Sequence, residues 1–240
     1  RIYGEMHRQG TVELVGVYDT DPAQAKSIAE KHGTTALGPV EDAAAAADVL
    51  SIVTPTVTHH ALAKPLLEQG KHLLVEKPMT DNAAEAAELV SLAKRHECVL
   101  QVGHIERFNP VFNYLQKAAR EPRFIESHRL SPFPARSMDI GVVLDLMIHD
   151  LDIVLAFVRP PVEHVDAAGV RVRSASEDIA NARLRFATAC AANLTVSRVS
   201  PEILPKIRVF TGGDEPAHLS LPYLQLHFLS YLFFLFPPHA

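Results

Sequence analysis

Lys71-His72-Leu73-Leu74-Val75-Glu76-Lys77-Pro78 runs from a short apolar stretch straight into a carboxylate, an amine and a proline. The apolar part reads as a buried strand, and the charged residues as what emerges at its carboxyl end. In an open parallel sheet ligands bind in the crevice beyond the strand ends, so Lys77 is predicted to point at whatever the sheet binds. A partly desolvated lysine has its ammonium form disfavoured and can trade a proton with a hydroxyl near neutral pH. Position alone leaves the alternative open, because a lysine just past a strand is commonly a solvated loop residue.

The neighbouring stretches repeat this grammar. Upstream, Val49-Leu50-Ser51-Ile52-Val53 is another short apolar strand, broken by Thr54-Pro55-Thr56, and a helix from about Thr58 to Gln69 stops at Gly70. Downstream, Asp81 to His96 sets Ala84, Ala87, Leu89 and Leu92 on a helical face, and Cys98-Val99-Leu100-Gln101-Val102 forms one more strand. Nearer the start, Val12 to Tyr18 is rich in β-branched and aromatic residues and ends at Asp19. Asp21 then caps, and Pro22 begins, a helix that runs to about His32 and is closed by Gly33. Glu41 to Ala47 is an alanine-rich helix. Strands alternating with helices predict a parallel, doubly wound α/β sheet up to about Gly103.

Asp19 has two readings. An acidic residue at the end of an early strand can accept hydrogen bonds from an adenosine ribose and repels a 2′-phosphate, which favours NAD over NADP. An aspartate that only starts a turn is the equal alternative. No G-x-G-x-x-G precedes this strand, where a dinucleotide fold places it. Arg1 to His7 looks like the helix that comes after such a loop, so the expectation is a chain missing its amino end.

The grammar changes across Gly103-His104-Ile105-Glu106-Arg107-Phe108-Asn109-Pro110, which divides a first domain (1–103) from a second (104–240). Asn109 caps and Pro110 starts a helix to about Arg120. Phe124 to Leu130 is strand-like and leads into a proline-broken loop, Ser131 to Asp139. Val142 to Phe157 then forms an apolar helix carrying Asp145, His149, Asp150 and Asp152. Asp145 and His149 are four apart and share a face, with Asp152 three beyond. Titratable groups on so apolar a helix suggest a site; a helix ion pair and a metal centre are the alternatives. No further His, Cys or acid cluster completes a ligand set, so no metal is expected. Val165 to Val172, Ile179 to Phe186, Cys190 to Val199 and Lys206 to Phe210 alternate apolar and polar residues, predicting an antiparallel sheet with one exposed face that could meet a second subunit.

At 240 residues, with 48% hydrophobic and 21% charged, the chain is long enough for two modest domains, each with its own core. A net charge of −5 leaves no basic footprint for nucleic acid. Cys98 and Cys190 form no disulfide framework and no metal-type spacing, reading as reduced core thiols of a cytoplasmic protein. The charges within Arg1 to Gly10 do not suit a secretory signal. Leu219 to Phe236 carries no charge and borders on the length of a membrane span, but Pro222, Gln225 and His227 interrupt it and no Lys or Arg flanks it closely, so no membrane partner is expected.

Thr54-Pro55 with His59, Glu76-Lys77-Pro78, and Asp145 with His149 in the spacing D-x-x-x-H together resemble the Gfo/Idh/MocA family of nicotinamide-dependent sugar oxidoreductases, from Val12 to Phe210. The resemblance implies a Rossmann-like cofactor domain and a second α/β domain whose large, mostly antiparallel open sheet supplies the substrate site and often the oligomer contact. It implies that Lys77 and His149 flank the carbon losing hydride, with Asp145 orienting His149 or the sugar. It also implies that Asp19, Thr54, Pro55, His59, Glu76, Lys77 and Gln101 bind NAD, and that the Lys77-Pro78 peptide is cis. Gln101 to Pro110, Ile125 to Leu130 and Leu144 to Asp150 further resemble the branch that includes UDP-N-acetylglucosamine 3-dehydrogenases, which oxidise the sugar 3-hydroxyl to a ketone, often ahead of an aminotransferase serving lipid A or surface polysaccharide.

On that reading either Lys77 or His149 is the base; imidazole, with an ordinary pKa of about 6.5, suits the task near neutrality. A diphosphate calls for a cation, and Arg107, Arg129, Arg136 and Arg198 are all eligible, with Asn109 a further substrate contact. The chain departs from the family pattern in lacking the glycine loop and in its aromatic tail, Tyr223 to Phe236. A dehydrogenase of a free sugar or inositol, and a non-catalytic NAD-binding sensor or scaffold, are the competing readings.

Overall fold

Strand and helix alternate through the first half of the chain. The computed structural model describes residues 2–118, 121–133, 140–212 and 218–222, and contacts divide the chain into two units, Arg1–Thr54 with Thr58–Val102, and Pro55–Val57 with Gly103–Ala240. In the first, helix α1 (Ile2–Arg8) precedes strand β1 (Gly16–Val17), helix α2 (Pro22–His32), strand β2 (Thr35–Ala36) and helix α3 (Val40–Ala46). Strand β3 (Val49–Ile52), helix α4 (His59–Glu68), strand β4 (His72–Val75), helix α5 (Ala83–Arg95) and strand β5 (Leu100–Val102) come next.

All pairings here are parallel: β1 with β2, and β3-β4-β5 in that order. The helix ends obey local chemistry. Asp21 accepts the N–H of Ala23 at 2.9 Å and Asn82 that of Glu85 at 3.0 Å, each satisfying a donor that the first turn leaves unpaired. Gly33 closes α2 with φ +66, a left-handed conformation that costs glycine nothing. Leu73 and Val75 of β4 pack with Ile52, with Ala63, Leu66 and Leu67 of α4, and with Leu89 and Leu92 of α5, a core that fixes the strand ends. The expected strand Val12 to Tyr18 shrinks to Gly16–Val17, because the His7 ring accepts the N–H of Leu14 and lies 3.3 Å from the Val12 carbonyl, tying this stretch to α1.

In the second unit a 3-10 turn, Ile105–Phe108, precedes helix α6 (Pro110–Ala118) and strand β6 (Pro122–Leu130). A π-helical turn, Val143–Met147, then leads into helix α7 (Ile148–Phe157). Strands β7 (Val162–Val170), β8 (Ile179–Phe186), β9 (Ala191–Ser197), β10 (Leu204–Thr211) and β11 (His218–Pro222) follow among the described residues. The six strands order as β11-β10-β6-β9-β8-β7, antiparallel except for β6 with β9. Ala180, Ala182, Leu184 and Phe186 of β8 turn inward, joining Ile125, Leu194, Ile207, Met147, Ile153 and Val154 in the core. Asn181, Arg183 and Arg185 alternate with them on the exposed face, the period of two that one-sided burial imposes. The uncharged run foreseen from Leu219 enters β11 as far as Pro222, and its remainder lies outside the described residues. Among the described residues, no helix is long and apolar enough to cross a membrane.

One buried pair anchors this unit. Arg198 and Asp178 are both 0% exposed and meet through Nε and Oδ1 at 2.9 Å. Asp178 also accepts the N–H groups of Val172, Arg173 and Ser174 and the Ser174 hydroxyl, while Arg198 donates to the Ile140 carbonyl and to the hydroxyls of Ser174 and Ser176. Arg198 is therefore not the diphosphate-binding cation that the sequence allowed; its guanidinium is spent inside the fold.

Burial pushes the Asp178 carboxyl up, but the hydrogen bonds from Ser174, the Arg173 N–H, Arg198 and the Val172 N–H outweigh it and hold the group well below the usual carboxylate range. A depressed folded-state pKa stabilises above the unfolded value of about 3.9 and ceases to as pH falls toward the folded one. Asp178→Asn is therefore expected to melt below the parent at pH 7, with the gap narrowing as pH drops below about 4. Thermal unfolding across pH checks this, and a gap independent of pH would contradict it.

Candidate active site

Ile52, Val75 and Val102 sit in register across β3, β4 and β5, so the three strands end flush. The residues just past them emerge along one edge, with neighbouring strands about 4.8 Å apart. Thr54 and Pro55 come after β3, and Glu76 and Lys77 after β4; Gln101 lies within β5, next to its end. Thr54, Pro55 and Gln101 are exposed, whereas Glu76 and Lys77 are half-buried. Glu76 Oε2 accepts the Lys77 N–H at 3.2 Å, and the Lys77-Pro78 peptide is cis, as the family resemblance implied. Thr58 donates its hydroxyl to Thr54 Oγ1 at 2.7 Å, and the Gln101 amide donates to the Val102 carbonyl at 3.1 Å.

His59 holds this edge from behind. Expected at the cofactor, it is instead 1% exposed, with Nδ1 2.9 Å from the Pro78 carbonyl and Nε2 2.9 Å from the Thr54 carbonyl. Both ring nitrogens face main chain, so the side chain is a strut between the β3–α4 and β4–α5 connections and not a ligand contact. Asp19 lies exposed just past β1, and its Oδ1 accepts the Asp21 N–H at 2.9 Å, which is the turn the sequence offered as an alternative.

In the second unit the sequence foresaw one continuous α-helix from Val142. Its first turn is instead wound as π-helix, the Ile148 N–H reaching the Val143 carbonyl five residues back. Such turns insert a residue and recur at functional sites. Asp145 lies in the π-turn and His149 at the start of α7, both half-buried. Beyond them the acids are neutralised. Asp150, wholly buried, takes a two-pronged grip from Arg129 at 3.1 and 3.2 Å. Asp152 is held by Arg107 through Nε and Nη2 at 2.6–3.0 Å, and His104 Nδ1 stands 3.9 Å away. The hydrogen bonds to Asp152 raise the Arg107 guanidinium above its ordinary pKa.

Arg107 and Arg129, read from sequence as substrate cations, are thus bound to carboxylates of α7, and the pairing of each with its acid was missed. Three acids on an apolar helix, with arginines in the segments before it, was the available signal. Asn109 is buried: its side-chain amide donates to Glu106 at 3.3 Å and its main-chain carbonyl accepts the Asn113 N–H, an N-terminal role in α6 and not an open contact surface. Arg136 lies outside the described residues. Among the described residues no cluster of three His, Cys, Asp or Glu side chains could hold a metal.

Known proteins match the chain both in sequence and in fold. Residues 3–104 match the family model described as an oxidoreductase family with an NAD-binding Rossmann fold, and residues 117–212 that of the GFO/IDH/MocA C-terminal domain. The chain is similar to the UDP-N-acetylglucosamine 3-dehydrogenase of Acidithiobacillus ferrooxidans, 38% identical over 211 residues, covering 86% of this chain and 67% of the relative. An inositol 2-dehydrogenase of Rhizobium meliloti is 31% identical over 150 residues, 58% of this chain and 45% of that one. The solved structure of UDP-N-acetylglucosamine 3-dehydrogenase GnnA from Acidithiobacillus ferrooxidans aligns with a TM-score of 0.85 at 36% identity, covering 93% of this chain and 73% of that one. The WlbA dehydrogenase from Bordetella pertussis, solved in complex with NADH and UDP-GlcNAcA, shares the fold, with a TM-score of 0.82 at 21% identity over 92% and 69% of the two chains. The chain spans about two thirds of the Acidithiobacillus relative and less than half of the inositol dehydrogenase.

Replacing His59 with Leu removes the ring N–H from the main-chain carbonyl that accepts it, at a cost on the order of 1–3 kcal/mol where that carbonyl stays dry. Denaturant unfolding of His59→Leu is expected to show that loss. Stability equal to the parent would mean that the strut carries nothing.

Proposed function

The chain belongs to the GFO/IDH/MocA oxidoreductase family, and on that premise we propose that it oxidises a hydroxyl of a sugar nucleotide, C3 of UDP-N-acetylglucosamine, with NAD as the hydride acceptor. The observation that carries this reading is the 38% identity over 86% of the chain to a protein named for that reaction.

The residues present fit the cofactor. Asp19 offers a carboxylate just past β1, chemistry that suits ribose hydroxyls and repels a 2′-phosphate, hence NAD over NADP. Thr54, Pro55, Glu76, Lys77 and Gln101, on the flush strand edge, are the groups to hold it, with His59 bracing the loops. When bound, nicotinamide supplies the hydride acceptor. His149 takes the hydroxyl proton onto its imidazole, and Lys77 Nζ donates a hydrogen bond to the oxygen as alkoxide charge develops. Asp145, in the preceding turn, orients that imidazole or the sugar. Of the candidate arginines among the described residues, Arg107, with 53% of its side chain exposed even while it holds Asp152, has the most surface to offer a diphosphate.

The exposed face of the six-stranded sheet is the proposed contact for a second copy of the chain, and a nucleotide-sugar substrate suits a cytoplasmic setting. A second reading, a dehydrogenase of a free polyol, draws on the similarity to inositol 2-dehydrogenases; a requirement for the UDP group separates the two.

The test is NADH formation, tracked by absorbance, on adding NAD and UDP-N-acetylglucosamine together with an aminotransferase and an amino donor to draw off the ketone. UDP-dependent NADH is expected, and Lys77→Met should lower turnover by roughly 10²–10⁴-fold while changing NAD affinity far less. NAD binding with no reduction by any sugar nucleotide or polyol would sink the reading and leave a cofactor sensor.

A further inference from the structure

We propose that Glu177, in the connection between β7 and β8, is a positioning residue for Asp145 and His149: it caps the π-turn that carries Asp145 and leads directly into the start of α7, where His149 lies. The inference rests on the proposed function in taking those two side chains as site residues.

A helix start leaves its first N–H groups without intrahelical partners. Val142, at the N-cap, has no side chain able to serve them, and none caps there. Both needs are met from a connection 34 residues further along the chain. The Val142 N–H donates to the Glu177 carbonyl at 2.9 Å, and the Val143 N–H to Glu177 Oε1 at 3.3 Å. A carboxylate at this end also complements the positive pole of the helix. From that capped start Asp145 lies within the first turn, its N–H donating to the Gly141 carbonyl at 3.0 Å, and His149 comes one turn later.

Two glycines make room for this one side chain. A Cβ on Gly141 would overlap the Glu177 carboxylate, and a Cβ on Gly169 of β7 would come within 3.2 Å of the Glu177 Cβ. Glu177 is itself held in place, because its neighbour Asp178 is locked to Arg198 and to three consecutive N–H groups. Arg198 also donates to the Ile140 carbonyl at 3.0 Å, immediately before Gly141. The buried pair thus grips both partners of the cap, the connection that supplies it and the chain that receives it.

The test uses the full chain as Glu177→Ala, Glu177→Gln and Gly141→Ala. It has two readouts: the split between kcat and KM, and the NMR resonances of the two carbon-bound ring protons of His149, Hδ2 and Hε1, which need no turnover. Glu177→Ala should lower kcat about tenfold, as a small misplacement of reacting groups does, leave the KM for NAD unchanged and move the His149 resonances. Glu177→Gln, which keeps an oxygen at Oε1, should restore both. Gly141→Ala evicts the carboxylate and should reproduce Glu177→Ala, and combining the two should add nothing, since both remove one contact.

His149 resonances in Glu177→Ala that coincide with those of the parent would overturn the proposal. So would a glutamine variant no better than alanine at equal thermal stability. Should Glu177→Ala not fold, Gly141→Ala decides in the same way, moved resonances supporting the cap and unmoved ones overturning it. If the parent turns over no sugar, the resonances still judge the positioning while the proposed function alone fails.

Discussion

Asp178 and Arg198 sit where no water reaches, and a buried ion pair is tolerated only when the geometry is good and the remaining hydrogen-bonding capacity is used. That demand shapes the second unit. It folds residues 172–178 back so that three successive N–H groups face one carboxylate, and it draws the Ile140 carbonyl onto the guanidinium. The start of the helix that bears Asp145 and His149 is thereby attached to the connection between two sheet strands. Breaking either member would strand a charge in the interior, which is costlier than never having buried the pair.

The first unit meets a milder form of the same demand. Loops at the carboxyl end of a parallel sheet carry carbonyls that no strand partner satisfies, and a buried carbonyl must find a donor. The His59 ring lies 2.9 Å from two such carbonyls, on connections separated in sequence by an entire helix and strand, and in its neutral form gives its one N–H to one of them. The result is that the loop carrying Thr54 and the one just past Lys77 are referenced to a common side chain. Parallel register makes the strand ends flush, and His59 carries that alignment one step further, into the residues that would touch a ligand.

Much of this was legible in the sequence, and the parts that were not have a common cause. Asp21-Pro22, Gly33 and Gly70 mark helix ends through chemistry local to a few residues, and the elements between them fall where that chemistry puts them. Lys77, Asp145 and His149 were legible as candidates because a charge on an apolar run is conspicuous. What stayed hidden depends on partners distant in the chain. A histidine in T-P-x-x-x-H reads as a ligand contact until the Pro78 carbonyl is seen beside it, and Arg198 reads as an available cation until Asp178 is found against it. The π-turn is hidden for the same reason, since its local residues are those of an ordinary apolar helix and its cap comes from β7–β8. The two-residue strand β2 carries no β signal of its own and exists through its pairing with β1.

The charges of α7 sort by the same logic of partners, and the sorting bears on how a diphosphate could be met. A guanidinium has five N–H donors in a planar fork. Arg129 turns its fork onto Asp150 with 15% of its side chain exposed, so its charge is cancelled within the fold and its surface largely withdrawn. Arg107 gives Nε and Nη2 to Asp152, yet keeps about half of its side chain in solvent. Cancelling the charge does not cancel the donors: at its solvent edge Arg107 can still present N–H groups to phosphate oxygens, with Asp152 fixing the plane of the fork. Such a site trades electrostatic pull for direction. On the proposed function it would recognise a diphosphate by the geometry of its oxygens, since a net charge of −5 offers a polyanion no general attraction.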